Sequence, residues 1–297
     1  MNKTGISWTD FTWNPVSGCN KVSPGCQNCY AEAWSKRWKR SFDVTLHPEK
    51  LRQVKKIPSG SKVFVNSMSD LFHEKVPFSF IKDVIDAIKS RPDVIFQVLT
   101  KRPERIWDFL HHYWIDYQNA YWLPSNLWLG VSVEMRQYVK RIDELHDLRN
   151  LSAQLSLSPA FISFEPLIRD IGEVNLRGID WIIIGGESGP HYRPMNIEWA
   201  RNLIRQAKEQ GVAVWMKQLG GFRPGGDIED FPEDLRLNKM TMNTKDKRLK
   251  VTNIKAKFSK VSDGKFLNFM TAPLLLGHVE IPSISHLLGN LRCRHLA

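Results

Sequence analysis

The sequence predicts an α/β fold, a partial or full (β/α) barrel with a cysteine-bearing loop near its N-terminus and a C-terminal extension. Three observations carry that expectation. Short, β-branched apolar runs alternate with stretches in which apolar residues recur every three or four positions. The runs are nearly continuous, not alternating, which marks strands buried on both faces of a parallel sheet. The length, 297 residues, suits one barrel of about 200–250 residues plus an appendage, and no repeat of the solenoid or propeller kind is visible.

Taken in order, a first strand is expected at 11–14, just ahead of the cysteines. Further strands follow at 62–66 (KVFVN), 94–99 (VIFQVL), 127–133 (LWLGVSV), 161–164 (FISF), 181–184 (WIII) and 212–216 (VAVWM). Helical periodicity places helices at 78–90, 104–113, 136–148 and 196–210, and a basic, aromatic helix (WSKRWKR) after the last clustered cysteine. Aromatics beside Lys and Arg suit stacking on nucleic-acid bases, and core packing with exposed basic faces is the alternative expected for its two tryptophans.

Each strand gives out into polar or ionisable residues. These are Ser67 and Asp70 after the 62–66 run, Lys101 and Arg102 after the next, then Glu134, Glu165, Gly185-Gly186-Glu187 and finally Lys217. In barrels and open parallel sheets the C-terminal strand edge is where ligands bind, so this series predicts one shared site. Beyond Gly221 the pattern fades: 223–234 is rich in Pro, Gly and acid, and 235–260 is basic without periodicity. The expected division is a barrel domain over 1–221 and a linker, basic segment and extension over 222–297.

With 42% apolar and 25% charged residues, composition excludes wholesale disorder, collagen and coiled coil. No apolar run approaches the roughly 20 residues of a membrane span, and the N-terminus lacks a secretory pattern, so a cytoplasmic protein with no membrane partner is expected. Forty-two Lys and Arg against 31 Asp and Glu give a net charge of +11, which keeps nucleic acid or a nucleotide first among substrate classes.

Of four cysteines, Cys19, Cys26 and Cys29 crowd into eleven positions and Cys293 stands apart. In a reducing compartment this reads as a metal site, not a disulfide framework. Gly18, Ser23, Pro24 and Gly25 supply the turns that wrapping around a metal requires. Structural zinc closes its shell with four protein ligands, whereas a cubane on three cysteines leaves one iron open. His47 or His73 would complete a zinc site, giving a zinc-stabilised nucleic-acid-binding protein without catalysis. A barrel hydrolase or lyase using Glu165 and Glu187 as acid and base is a third reading.

The strings WNPVSGC, SPGCQNCYA, NSMSDLFHEKVP, LTKRPER, LGVSVE, SFEPL, IIIGGESGP and MKQLGG, between about Gly5 and Gly221, resemble a phage- and prophage-associated three-cysteine-motif family without an assigned reaction. That family is grouped with the radical S-adenosylmethionine (SAM) superfamily. The usual superfamily loop is C-x3-C-x2-C; here six residues separate Cys19 from Cys26, and Asn28 stands where an aromatic precedes the last cysteine.

The resemblance implies a TIM-type barrel of the radical SAM kind. It implies a [4Fe–4S] cluster on Cys19, Cys26 and Cys29, SAM on its open iron, and a 5′-deoxyadenosyl radical that abstracts hydrogen from substrate. A reductase or other electron donor would serve as partner. Residues expected to position SAM are Ser67, Asp70, Glu134, Glu165, Gly185, Gly186, Glu187 and Lys217. Two glycines permit close backbone approach, and a carboxylate accepts from the SAM ammonium or ribose.

Overall fold

A computed structural model describes residues 2–114, 123–150, 158–223, 225 and 228–238. The expectations for residues 239–297, including most of the basic segment and Cys293, lie outside these. The described residues fall in one compact unit, 1–244.

The strands are β1 (Asn2–Lys3), β2 (Phe11–Trp13), β3 (Val16–Ser17), β4 (Thr45–Leu46), β5 (Lys62–Val65), β6 (Ile95–Thr100), β7 (Leu127–Ser132), β8 (Ala160–Phe164), β9 (Trp181–Gly185) and β10 (Ala213–Gln218). The helices are α1 (Tyr30–Arg37), α2 (Phe78–Lys89), α3 (Glu104–Trp114), α4 (Lys140–Asn150) and α5 (Ile197–Glu209). Eight strands make one sheet in the order β1-β2-β5-β6-β7-β8-β9-β10, and β3 pairs with β4 separately. From β2 onward every pairing in the large sheet is parallel; only β1 runs antiparallel, on the edge.

Period-two alternation sorts the strand residues onto two faces. Val63, Val65, Phe96, Val98, Ile162, Ile182, Ile184, Val214 and Met216 join the larger core with the helices. In α2 this core takes Phe80, Ile81, Val84, Ile85 and Ile88, an apolar stripe at helical spacing. Asn196 starts α5 as its cap, its side-chain oxygen accepting from the Glu198 N–H. The opposite sheet face carries Phe64, Trp128, Phe161, Trp181, Ile183 and Ala213, packed with Trp8 into a second cluster. Gly130 makes room there, since a Cβ on it would fall 2.5 Å from the Phe161 ring.

That second cluster shows the sheet to be strongly curved. Phe64 on β5 and Trp181 on β9 lie four strands apart, which in a flat sheet is about 19 Å. Yet the Trp8 ring lies 4.8 Å from the first and 5.8 Å from the second, centroid to centroid. The sheet therefore wraps around Trp8, with its aromatic side inside. It does not close among the described residues, because β1 and β10 are its two edges. Of the two forms expected, partial or full, the described residues form the open one.

All seven expected strands are present, while β1, β3 and β4, two residues each, carry no pattern a sequence could reveal. The helix expected over 136–148 is split into a 3-10 turn (Arg136–Tyr138) and α4, with the residue between them as cap. Residues past Gly221 add to the unit: Phe231 and Leu235 are buried, and the Met216 N–H donates to Leu237 O. Trp34 and Trp38 do not take the core alternative: they are 46% and 59% exposed, because α1 buries only Ala31 and Ser35. No helix among the described residues is long and apolar enough to cross a membrane.

Candidate metal and cofactor site

Since β2 and β5–β10 run parallel, their C-terminal ends share one edge, and the cysteine loop leaves β2 there. Its first half is tied to the segment after β5. Asn14 Oδ1 accepts from Ser67 Oγ and the Met68 N–H, both at 3.2 Å, Asn66 Oδ1 accepts from the Val16 N–H, and the Gly18 N–H donates to Met68 O. Only glycine fits at 18: φ is +82°, and a Cβ would fall 2.1 Å from Asp43 O. A 3-10 turn, Pro24–Cys26, follows, and Cys29 is the N-terminal flank of α1. The Tyr30 hydroxyl donates to Ser67 O, so Ser67 holds both the loop and the helix that leaves it.

Cys19, Cys26 and Cys29 are free thiols, each half-buried. Burial and the Asp70 carboxylate push the Cys19 thiol up to about 11, against the opposing pull of Arg102. Arg102 is the hub of this flank. Its Nη1 lies 3.7 Å from Cys19 Sγ and 3.1 Å from Asp70 Oδ2, its Nη2 donates to Asn20 Oδ1, and its Nε lies 3.4 Å from Glu74. Asp70 has no spare acceptor. It takes the Phe72 and Lys101 N–H groups, the Thr100 hydroxyl and Arg102.

The other flank is held by Glu187 and Arg193. Glu187 accepts from the Arg193 backbone N–H and Nε, both at 2.9 Å, from Arg193 Nη2 at 2.5 Å, and from Asn28 Nδ2 at 2.9 Å. Burial opposes its charge, but the hydrogen bonds from Arg193 and Asn28 hold its carboxyl below the usual range. Arg193 also donates to Pro24 O and Gln27 Oε1, and Asn28 to His191 O, so the pair grips the loop on either side of Cys26. Gly185 and Gly186 let the β9 and β10 ends meet. A Cβ on Gly186 would fall 2.4 Å from Leu219 O, and one on Gly185 would crowd the Glu165 side chain at 3.3 Å.

Between the flanks, Glu165 pairs with Lys217, both partly exposed, and Lys101 Nζ donates to Ser132 Oγ at 3.0 Å. The Glu165–Pro166 peptide is cis. Glu134 is fully buried beneath the loop, with the position of a Gly25 Cβ only 2.9 Å from its side chain. Its Oε2 accepts from Arg141 at 2.9 Å, while Oε1 has no hydrogen-bond partner.

The eight residues expected to position SAM thus all lie at or just beyond one sheet edge. Asp70 and Glu187 have their oxygens committed to the chain's own donors; Glu134 does not. The sequence assigns no role to Asn20 and marks Asn28 only as standing in the aromatic's place, although an amide beside a cysteine in a turn-rich loop is a sign that the loop needs internal donors. His73 accepts from the Lys75 N–H through Nδ1 and meets Asn20 Oδ1 through Nε2. His47 faces Ser17 Oγ at 2.8 Å and Glu49 at 3.4 Å. Both candidate fourth zinc ligands thus have their ring nitrogens in contacts with other groups.

The donor set fits an iron–sulfur cluster in its chemistry: three soft thiols on one loop, and an unpaired buried carboxylate oxygen beneath that loop. Among the described residues, no three Cys, His, Asp or Glu side chains stand close enough to hold a single metal ion.

No curated protein matches the chain. Two solved structures are similar at a TM-score of 0.40 and 10% identity, both over 70% of this chain: spore photoproduct lyase complexed with dinucleoside spore photoproduct, and a cysteine-to-alanine mutant of that lyase with the same dinucleoside. The chain spans 64% and 63% of their lengths. A family profile matches residues 3–270, and on that match the chain belongs to the family described as protein of unknown function (DUF5131).

Proposed function

We propose that the protein is an iron–sulfur enzyme of the radical SAM kind, within the phage- and prophage-associated three-cysteine group that its motifs resemble, with a nucleic acid or nucleotide as substrate. The observation that carries the reading is three free thiols on one loop at the C-terminal edge of a curved parallel sheet. When bound, a [4Fe–4S] cluster supplies the electron that splits SAM into methionine and a 5′-deoxyadenosyl radical for hydrogen abstraction.

Cys19, Cys26 and Cys29 would hold three irons. Glu134 is the acceptor we assign to the SAM ammonium, because its Oε1 is the buried carboxylate oxygen left without a donor. Lys217 and Lys101 offer cations, and Gly185 and Gly186 offer close backbone, for the carboxylate and ribose. Asp70 and Glu187 orient the loop through Arg102 and Arg193. The net charge of +11 supports a polyanionic substrate, and a reductase or similar donor in the cytoplasm would supply the electron.

Anaerobic reconstitution with iron and sulfide tests the reading. A brown protein that releases 5′-deoxyadenosine from SAM and dithionite, and loses both properties when Cys19, Cys26 and Cys29 become Ala, is the expected result. A colourless protein holding one zinc would overturn it in favour of a non-catalytic zinc protein. Uncleaved SAM on a fully loaded cluster would remove the SAM step.

A further inference from the structure

The residues of α1 face water in an unusual way. Tyr30, Trp34 and Trp38 recur every fourth position, so they share one helix face, and they are 54%, 46% and 59% exposed. Elsewhere Trp8, Trp13, Trp128 and Trp181 are all buried. The two exposed indoles lie against each other, centroids 6.1 Å apart and planes at 51°. The helix ends where Lys39 adopts φ +51°, and the Arg40 N–H donates back to Ser35 O. That reversal carries the Arg40 guanidinium to 5.4 Å above the Trp34 ring.

Cations outnumber acids around these rings. Lys36 is matched by Glu32 at 2.7 Å. Arg37 and Lys39, both exposed, have no acidic partner among the described residues, and Arg40 is engaged only with the indole and the backbone. Aromatic faces interleaved with unmatched cations complement a chain that alternates flat bases with phosphates. A duplex hides its base faces and would use only the cations. An anionic membrane would require a broad apolar helix face, and α1, with Ala31 and Ser35 turned inward, has none beyond the rings.

We propose that α1 is a binding platform for an unpaired polynucleotide strand, bases stacking on Trp34 and Trp38 and phosphates meeting Arg37, Lys39 and Arg40. Successive rings are about 6 Å apart along the helix axis, a step that lets neighbouring bases of an extended strand each meet one. Because α1 begins immediately after Cys29, a strand lying on it leads to the cysteine loop. The proposal deepens the functional reading by naming the substrate as single-stranded nucleic acid, but binding itself requires neither cluster nor SAM.

Fluorescence anisotropy on the full chain tests this, with labelled oligo-dT and oligo-U, a duplex of equal length and phosphatidylserine vesicles as ligands. Either oligonucleotide, the preferred one identifying DNA or RNA, should bind more tightly than duplex or vesicle. The Trp34→Ala and Trp38→Ala variants should each weaken strand binding by about 5- to 150-fold, and the corresponding Phe variants by no more than about threefold. Combining Arg37→Gln, Lys39→Asn and Arg40→Gln should flatten the salt dependence by about two in log–log slope; Asn is chosen because it tolerates positive φ. Unchanged affinity in the Ala variants, preference for vesicles or duplex, or no strand binding by folded protein would overturn the platform. Assaying the same preparations for 5′-deoxyadenosine separates the two ideas. Strand binding without SAM cleavage leaves the platform standing and sinks the cofactor reading, and cleavage without strand binding does the reverse.

Discussion

The two flanks of the cysteine loop are held by the same device, an arginine on a carboxylate, but in different surroundings. At Cys19 the pair is Arg102 with Asp70, side chains 5% and 8% exposed, joined to Asn20, Glu74 and strand-end backbone. At Cys26 and Cys29 it is Glu187, 4% exposed, with Arg193 at 29%. The first arginine is built into the sheet edge, and the second reaches across from a loop that follows β9. A buried pair resists loss of one partner strongly, while a partly hydrated one loses less and can open. The first flank should therefore act as part of the fold and the second as a latch on the loop.

Removing Arg102 is the strongest way to break that contrast. Arg102→Ala leaves Asp70 charged and buried, which typically costs about 3–5 kcal/mol. Because Phe72, Thr100 and Lys101 still donate to Asp70, the lower end, about 3 kcal/mol, is expected in urea denaturation of the metal-free protein. Pairing Arg102→Met with Asp70→Asn removes the orphaned charge and should recover part of the loss. If the double variant is no better than Arg102→Ala, the pair is not what stabilises this flank.

Arg193→Ala should act differently. Glu187 keeps Asn28 and gains water, so the stability cost should be about 1–2 kcal/mol. The loop, however, loses the donors to Pro24 O and Gln27. Partners one step behind metal ligands are typically worth 10- to 100-fold in metal affinity, so a reconstituted variant should release iron to a chelator with about that loss. A large stability loss with unchanged iron retention would erase the difference between the flanks.

The sheet was legible because strands buried on both faces leave runs such as WIII and VAVWM, and because a polar residue at the end of each run is a local signal. The roles within the site were not legible. Glu187 and Glu134 look alike in sequence, a carboxylate just past a strand. They differ because Arg193 and Asn28 fill one while Arg141 donates to one oxygen of the other, and Asn28 approaches from the opposite end of the chain. The exposure of Trp34 and Trp38 is illegible for a related reason. Apolar residues four apart fit a core stripe, and only the completed fold shows that the core is already covered on that side. Gly18 is legible as a turn, but its necessity depends on the approach of Asp43, which no spacing announces.

The smallest effect concerns pH, and it isolates the latch. Glu187 is held below the ordinary glutamate value of 4.5 by its hydrogen bonds from Arg193 and Asn28, despite the opposing effect of burial. A carboxyl whose folded value is depressed binds protons more readily unfolded. Its contribution to stability is thus complete above pH 4.5 and is lost as pH falls through the lower folded value. Glu187→Gln preserves shape and removes the titration. The difference in urea midpoint between wild type and Glu187→Gln in the metal-free protein should be constant from pH 7 to about pH 5 and shrink steadily below about pH 4. A difference that persists unchanged at pH 3 would mean that the stabilisation at this flank is packing, with no contribution from charge.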